Sequence, residues 1–280
     1  RPTRATSSLV EPGRTITGLI APITNPFVPA DLLTILNSRT GDDPALTGTG
    51  AAEGIRINKR FLDTGLRESQ FDNRVIQGLA GLRGNITDNW RYEAYYSWGR
   101  TTIDVAATGN VHVQRVQELL EAPDGGVSLC EGGFNPFGIH PLSADCIDYI
   151  DETGYTKTTF TQKIAQAYVQ GDLVELPAGA LSVVLGLEQR KFRYAFDPGV
   201  LSGPIAGFNT ATPDLGTNKF TDFFAEALIP IASGAPWADQ LEVSLGYRYS
   251  KSDFNDIQNG IDGDSVGSDA YKIDLTWAPV

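Results

Sequence analysis

From residue 161 to residue 191 apolar and polar side chains alternate on either side of Pro177-Ala178-Gly179-Ala180. In the second run Leu181, Val183, Leu185 and Leu187 fall on one face, and Ser182, Val184, Gly186 and Glu188 on the other. The first run sets Ala165, Ala167, Val169 and Leu173 against Gln166, Gln170 and Asp172. A period of two puts successive side chains on opposite faces of a pleated strand, and a short Pro/Gly turn between two such runs makes a hairpin. Soluble strands usually run to about five or six residues. A tilted strand that crosses a bilayer takes roughly 9 to 11, which these runs exceed.

The same pattern predicts strands at 54–62, 70–84, 90–104, 158–176, 181–198, 218–232, 241–254 and 269–278. Apolar positions recur as Phe223, Ala225, Ala227, Ile229, Ile231, then Leu241, Val243, Leu245, Tyr247, Tyr249, then Tyr271, Ile273, Leu275, Trp277. Between them stand Asp222, Glu226, Glu242, Ser244, Arg248, Lys272, Asp274 and Thr276. One face is oily and the other charged, a division that a soluble sandwich shares with a membrane wall.

Loop rhythm and aromatic spacing favour the wall. From the second strand on, connections run short, long, short, long, short, long: 85–89, 105–157, 177–180, 199–217, 233–240 and 255–268. Outer-membrane barrels alternate short periplasmic turns with long outside loops in this way. Trp90, Tyr92, Tyr96 and Trp98 share a face, and the eight-residue step between the two tryptophans spans about 26 Å. With a tilt of about 40° that becomes near 20 Å of height, close to the apolar band between aromatic girdles. The expected fold is all-β: an antiparallel up-and-down transmembrane β-barrel segment of about eight strands, with short turns at one end and long loops at the other.

Two stretches fall outside the alternation. Residues 1–52 are expected to be irregular and loop-rich, with a short helix at Ala30 to Arg39 for which Asp31 is the candidate cap. Gly48-Thr-Gly50-Ala-Ala-Glu-Gly54 has the wrong spacing, and no preceding strand, for a dinucleotide fingerprint. The extracellular loop 105–157 carries a helical pattern at Val111 to Glu121 and the only cysteines, Cys130 and Cys146. Pairing them closes a short ring, worth up to about 3 kcal/mol in a loop with little core of its own, in an oxidising compartment. A metal held by Cys130, His140 and Cys146 is the weaker alternative, since CxxC spacing is absent.

Composition narrows the function. A net charge of −12 argues against nucleic acid. Thirty glycines and 16 prolines suit a turn-rich β chain. No apolar run is long enough for a spanning helix, which leaves strands as the only way across a membrane. The chain has no methionine, and it is expected to be a piece of something larger. The acidic loop Asp253 to Asp269 lacks the ligand spacing and terminal Glu of an EF-hand. The Asn85-Ile-Thr87 sequon sits in a tight turn and is discounted. His112 and His140 lie near no nucleophile motif, so the sequence gives no positive case for catalysis, and neither a cofactor nor a metal is expected.

Several stretches in order resemble the barrel portion of TonB-dependent outer-membrane receptors. They include Lys59-Arg60-Phe-Leu-Asp63-Thr-Gly65-Leu-Arg67, Trp90-Arg-Tyr-Glu-Ala-Tyr95 and Cys130-x4-Asn135-Pro-Phe137 followed by Cys146. The remainder are Gly171-Asp-Leu-Val-Glu-Leu-Pro-Ala-Gly179, Gly186-Leu-Glu-Gln-Arg190, Glu226-Ala-Leu-Ile-Pro230, Leu245-Gly-Tyr-Arg-Tyr-Ser250 and Tyr271-Lys-Ile-Asp-Leu-Thr-Trp277. The resemblance covers roughly residues 55 to 280 and implies a partial receptor barrel over 53–280, with no plug domain in the chain. It implies an outer-membrane location and lipid contact. It also implies TonB as energising partner through the plug, and uptake of a scarce ligand such as an iron chelate, cobalamin or oligosaccharide. Polar candidates for the lumen are Glu188, Glu226, Glu242, Arg248 and Lys272. A passive porin-like channel, and a secreted β-sandwich that binds glycans or acts as an adhesin, remain the alternatives.

Overall fold

The computed structural model describes residues 3–11, 15–38, 46–47, 53–199, 203–206 and 210–279. The first elements are β1 (Thr3–Glu11), β2 (Thr15–Pro22), α1 (Ala30–Asn37), β3 (Leu46–Thr47), β4 (Gly54–Arg60) and β5 (Arg67–Asn85). They are followed by β6 (Trp90–Val111), α2 (Val113–Glu121), α3 (Ala144–Ile150), β7 (Asp151–Leu176) and β8 (Gly179–Asp197). The chain ends with β9 (Asp214–Ala235), β10 (Ala238–Asp256), β11 (Ile261–Asp262) and β12 (Val266–Ala278).

A nine-stranded antiparallel sheet runs β1-β5-β6-β7-β8-β9-β10, with β11 and β12 both on the far edge of β10. From β5 onward each long strand pairs with the next in sequence, the up-and-down order that alternation and short turns dictate. The turn between β7 and β8 is only Pro177-Ala178, with Gly179 at φ +134°, a value that side-chain-bearing residues rarely adopt. Among the described residues β1 and β12 do not pair, so the sheet is open rather than closed into a barrel.

Strands are longer than the alternation alone indicates: β7 has 26 residues, β6 and β9 have 22 each, and β5, β8 and β10 have 19. The β6–β7 hairpin keeps pairing up to Val111 and Asp151, beyond the end of β8, which stops opposite Lys157. The loop expected at 105–157 therefore shrinks to 112–150. Inside this ribbon a bulge between Ala107 and Asn110 puts Gly109 at φ +66°, where a Cβ would meet the Leu66 carbonyl oxygen at 2.5 Å.

Residues 1–52 depart from the expected irregular segment. Thr3–Glu11 lies antiparallel along β5, from Thr3 opposite Val75 to Glu11 opposite Arg67. Thr15–Pro22 joins β4 and β3 in a separate three-stranded sheet. Pairing on an open edge needs backbone groups rather than an apolar stripe, so a Thr- and Ser-rich strand shows no period. The predicted strand 54–62 is a strand, but it belongs to this small sheet and not to the nine-stranded one. Helix α1 has Pro29 at its N-cap with no side-chain cap, and Asp31 instead accepts from the amide of Leu32 at 2.9 Å. Residues 39 and 48–52 of the expected helix and Gly-rich loop lie outside the described residues.

The packed core sits at the long-loop end. Ile16, Leu19, Phe61, Val111, Val116, Leu119, Leu120, Phe134 and Ile150 are buried together with Cys130 and Cys146. Three connections converge on it: the one between β1 and β5, the one between β6 and β7, and the one between β8 and β9, which arrives through Ala206.

Candidate functional site: the polar face of the sheet

Register builds the site. Glu188 of β8 stands opposite Asp222 of β9, and Asp222 opposite Ser250 of β10. Arg190 and Arg248 lie one step to either side on the same face and reach inward. Arg190 Nη2 donates to Asp222 Oδ2 at 2.9 Å, and Arg248 Nη2 donates to Glu188 Oε1 at 2.7 Å. Arg248 also contacts Asp222, and Ser250 Oγ donates to Asp222 Oδ1 at 2.5 Å. Arg190 Nε lies 3.0 Å from Glu188 Oε1 but is poorly aligned, an ion pair without a hydrogen bond. The Asp222 side chain is fully buried. Each guanidinium also packs near a ring, Arg190 at 4.9 Å from Phe220 and Arg248 at 6.0 Å from Phe224.

Two acids and two arginines cancel, so this cluster carries no net charge. It contains no nucleophile with an adjacent base, and its hydrogen bonds fix polar groups instead of poising one for proton transfer. The polar row continues across the sheet. Tyr95 OH donates to Gln166 Oε1 at 2.5 Å, and Tyr168 OH donates to Glu93 Oε2 at 2.9 Å.

All five lumen candidates from the sequence share this face. Glu188 and Arg248 are in direct contact. Glu226 and Lys272 flank Gly246 in register, where the missing side chain leaves space, and a cavity of about 330 Å³ there is lined by Phe224, Glu226, Arg248 and Lys272. Lys272 pairs with Asp274 at 2.7 Å. Glu242 stands apart near the short turns, opposite Pro230 and Thr276. Asp222 and Arg190, the centre of the cluster, carry no distinctive sequence signal, because only cross-strand register brings them together.

The opposite face is exposed where it is most apolar. Leu187 is 61% exposed, and Leu185, Phe223, Tyr249 and Ile273 are exposed as well, while Asp222 on the polar face is 1% exposed. Side chains crowd on the polar face. A Cβ on Gly186 there would fall 2.1 Å from the Phe224 ring.

Above the long-loop end stands a cap built on α2, α3 and the small sheet. Cys130 and Cys146 are disulfide-bonded, which removes the alternative metal set with the exposed His140. Gln117 of α2 pairs with both backbone groups of Ile20 in β2, accepting from its N–H at 3.0 Å and donating to its carbonyl at 2.8 Å. The Asn25 amide donates to the Leu120 carbonyl at 2.9 Å, closing the C-terminal turn of α2. Ser143 Oγ accepts from Cys146 N at 3.1 Å and caps α3, which carries the second cysteine. Asp124 accepts from the amides of Gly126 and Ser128, and hydrogen bonding from Ser128 above all holds its carboxyl below the ordinary value of 3.8. No protein-family model, curated protein or solved structure matches the chain.

Proposed function

We propose that this chain forms part of the wall of an outer-membrane receptor of the TonB-dependent type, its apolar face against lipid and its polar face toward the passage. The observation that carries this is the inversion of burial across the sheet: leucines and aromatic residues lie open while a charged cluster is enclosed. In water such a face is a large exposed apolar patch, which soluble monomers rarely show. Against hydrocarbon it is the stable arrangement. A sandwich would bury these leucines between two sheets, and no second sheet covers them among the described residues.

In this reading the wall continues beyond β1 and β12, because a bilayer tolerates no open sheet edge. The cap is the outward-facing platform where a scarce ligand (an iron chelate, cobalamin or oligosaccharide) is first held. The polar face then lines the route beside the plug through which TonB acts.

Membrane fractionation with an alkaline carbonate wash tests the placement. The protein is expected to stay with the outer membrane and to need detergent for release. Recovery in the soluble fraction as a folded monomer would overturn the proposal in favour of a secreted module. Ligand uptake that persists after the proton-motive force is collapsed would move the assignment to a passive channel.

A further inference from the structure

The apolar face of the wall changes character along the strands. Three successive rows on it are apolar across β6 to β10, the last containing Ala94, Ala167, Leu187, Phe223 and Tyr249. Two rows further toward the cap, Lys163, Lys191 and Lys219 stand directly opposite one another on three adjacent strands, with Trp98 beside Lys163. Arg100 and Arg193 lie in the next row, and Lys251 in the row between.

Directly opposed side chains have Cβ atoms about 5 Å apart, and like charges in such pairs destabilise a sheet. Three lysines in one row therefore oppose folding unless an anion lies over them. The protein supplies little to offset this. Among the described residues no carboxylate forms an ion pair with Lys163, Lys191, Lys219, Arg100, Arg193 or Lys251. The one acid in the row, Asp253, faces Lys219 and accepts a hydrogen bond from Ser265. A chain with a net charge of −12 has thus gathered six unpaired cations on one outward band.

We infer that this band binds the phosphate-bearing headgroups of the lipid leaflet that meets the cap end of the wall. The inference rests on the membrane placement proposed above. Two features select lipid over free phosphate. The lysine row begins about 13 Å along the strands from the last apolar row, within reach of one lipid's tail and headgroup. Trp98 stands in the lysine row itself, directly opposite Lys163, and Tyr96 in the row below it, where aromatic rings favour the interface. Lysine stems lie along apolar surface while their ammonium groups extend to charge.

The 280-residue protein in neutral detergent is titrated with short-chain phosphatidic acid, short-chain phosphatidylcholine and inorganic phosphate, with Trp fluorescence as readout. Phosphatidic acid is expected to bind at least about tenfold more tightly than phosphatidylcholine, each basic residue near an anionic surface contributing roughly a fivefold factor. The K163Q/K191Q/K219Q variant is expected to lose that preference, K163R/K191R/K219R to keep it, and K272Q on the polar face to leave it unchanged. Equal affinity for both lipids, or a preference that survives the triple Gln substitution, overturns the inference. So does inorganic phosphate binding as tightly as phosphatidic acid. Insertion into pure phosphatidylcholine vesicles is measured alongside. Insertion without headgroup preference ends this inference alone, and failure to insert ends the membrane placement with it.

Discussion

Asp222 faces two guanidiniums and a hydroxyl while enclosed by them, so its removal leaves cations that remain held against each other. Asp222→Ala is expected to destabilise the protein by about 1.5–3 kcal/mol, the range for a lost hydrogen bond to a charged group. The partial exposure of Arg190 and Arg248 keeps the cost below that of a fully buried pair. Denaturant unfolding measures it. Restoring most of the loss with Asp222→Ala/Arg248→Met shows that the stranded charge, and not lost packing, is responsible. In the cap, Asp124 gives a pH signature. Its folded carboxyl titrates below the unfolded one, so its contribution is complete above about pH 4 and disappears as pH falls through the folded value. Protection factors of the Gly126 and Ser128 amides, taken relative to the intrinsic exchange rate at each pH, should therefore fall on acidification, and Asp124→Asn should abolish that fall. Protection factors indifferent to pH in the native protein would rule out the carboxylate as the anchor.

Elements divide sharply into those with a sequence period and those without. The long strands β5 to β10 and β12 were legible because alternation over many residues leaves no other structure, and their short turns fixed the order. Of the small sheet only β4 was legible, as the strand expected at 54–62, because the sheet's other stability comes from partners distant in sequence: Gln117 completes the edge of β2 across 97 positions. Strand β1 was not legible either: its pairing on β5 depends on an open edge that no local pattern announces. The charged cluster was half legible: alternation placed Glu188 and Arg248 on one face, and only the register identified Asp222 as their shared partner. The cap, in turn, depends on side-chain links that can be cut one at a time. Gln117→Ala removes two hydrogen bonds and should cost about 1–3 kcal/mol. Reducing the disulfide should cost up to about 3 kcal/mol. Both changes are expected to speed proteolysis within 112–150 while leaving the far-UV strand signal intact, since the wall shares few buried contacts with the cap. Simultaneous loss of both signals would mean that cap and wall fold as one unit.

At the scale of the whole molecule the decisive property is which solvent the apolar face meets, and a single charge can report it. Leu185 is exposed on the outward face, with Ala225 and Val169 opposite it in register. If that face met water, Leu185→Arg would alter stability by about 0.5 kcal/mol or less, as exposed substitutions do. Against hydrocarbon the same change costs about 2–4 kcal/mol near the bilayer midplane, enough to deplete the assembled form. A matched substitution of Gln189 by Arg, two rows nearer the cap on the same face, lies close to the basic band and should cost about 1 kcal/mol or less. The contrast between the two positions, measured as the fraction resistant to urea extraction from membranes, separates depth from mere change of charge. A large loss at Leu185 with little at Gln189 is the expected result. Equal effects at both positions would mean that the face meets a uniform medium, and the placement of its aromatic and basic rows would then need another cause.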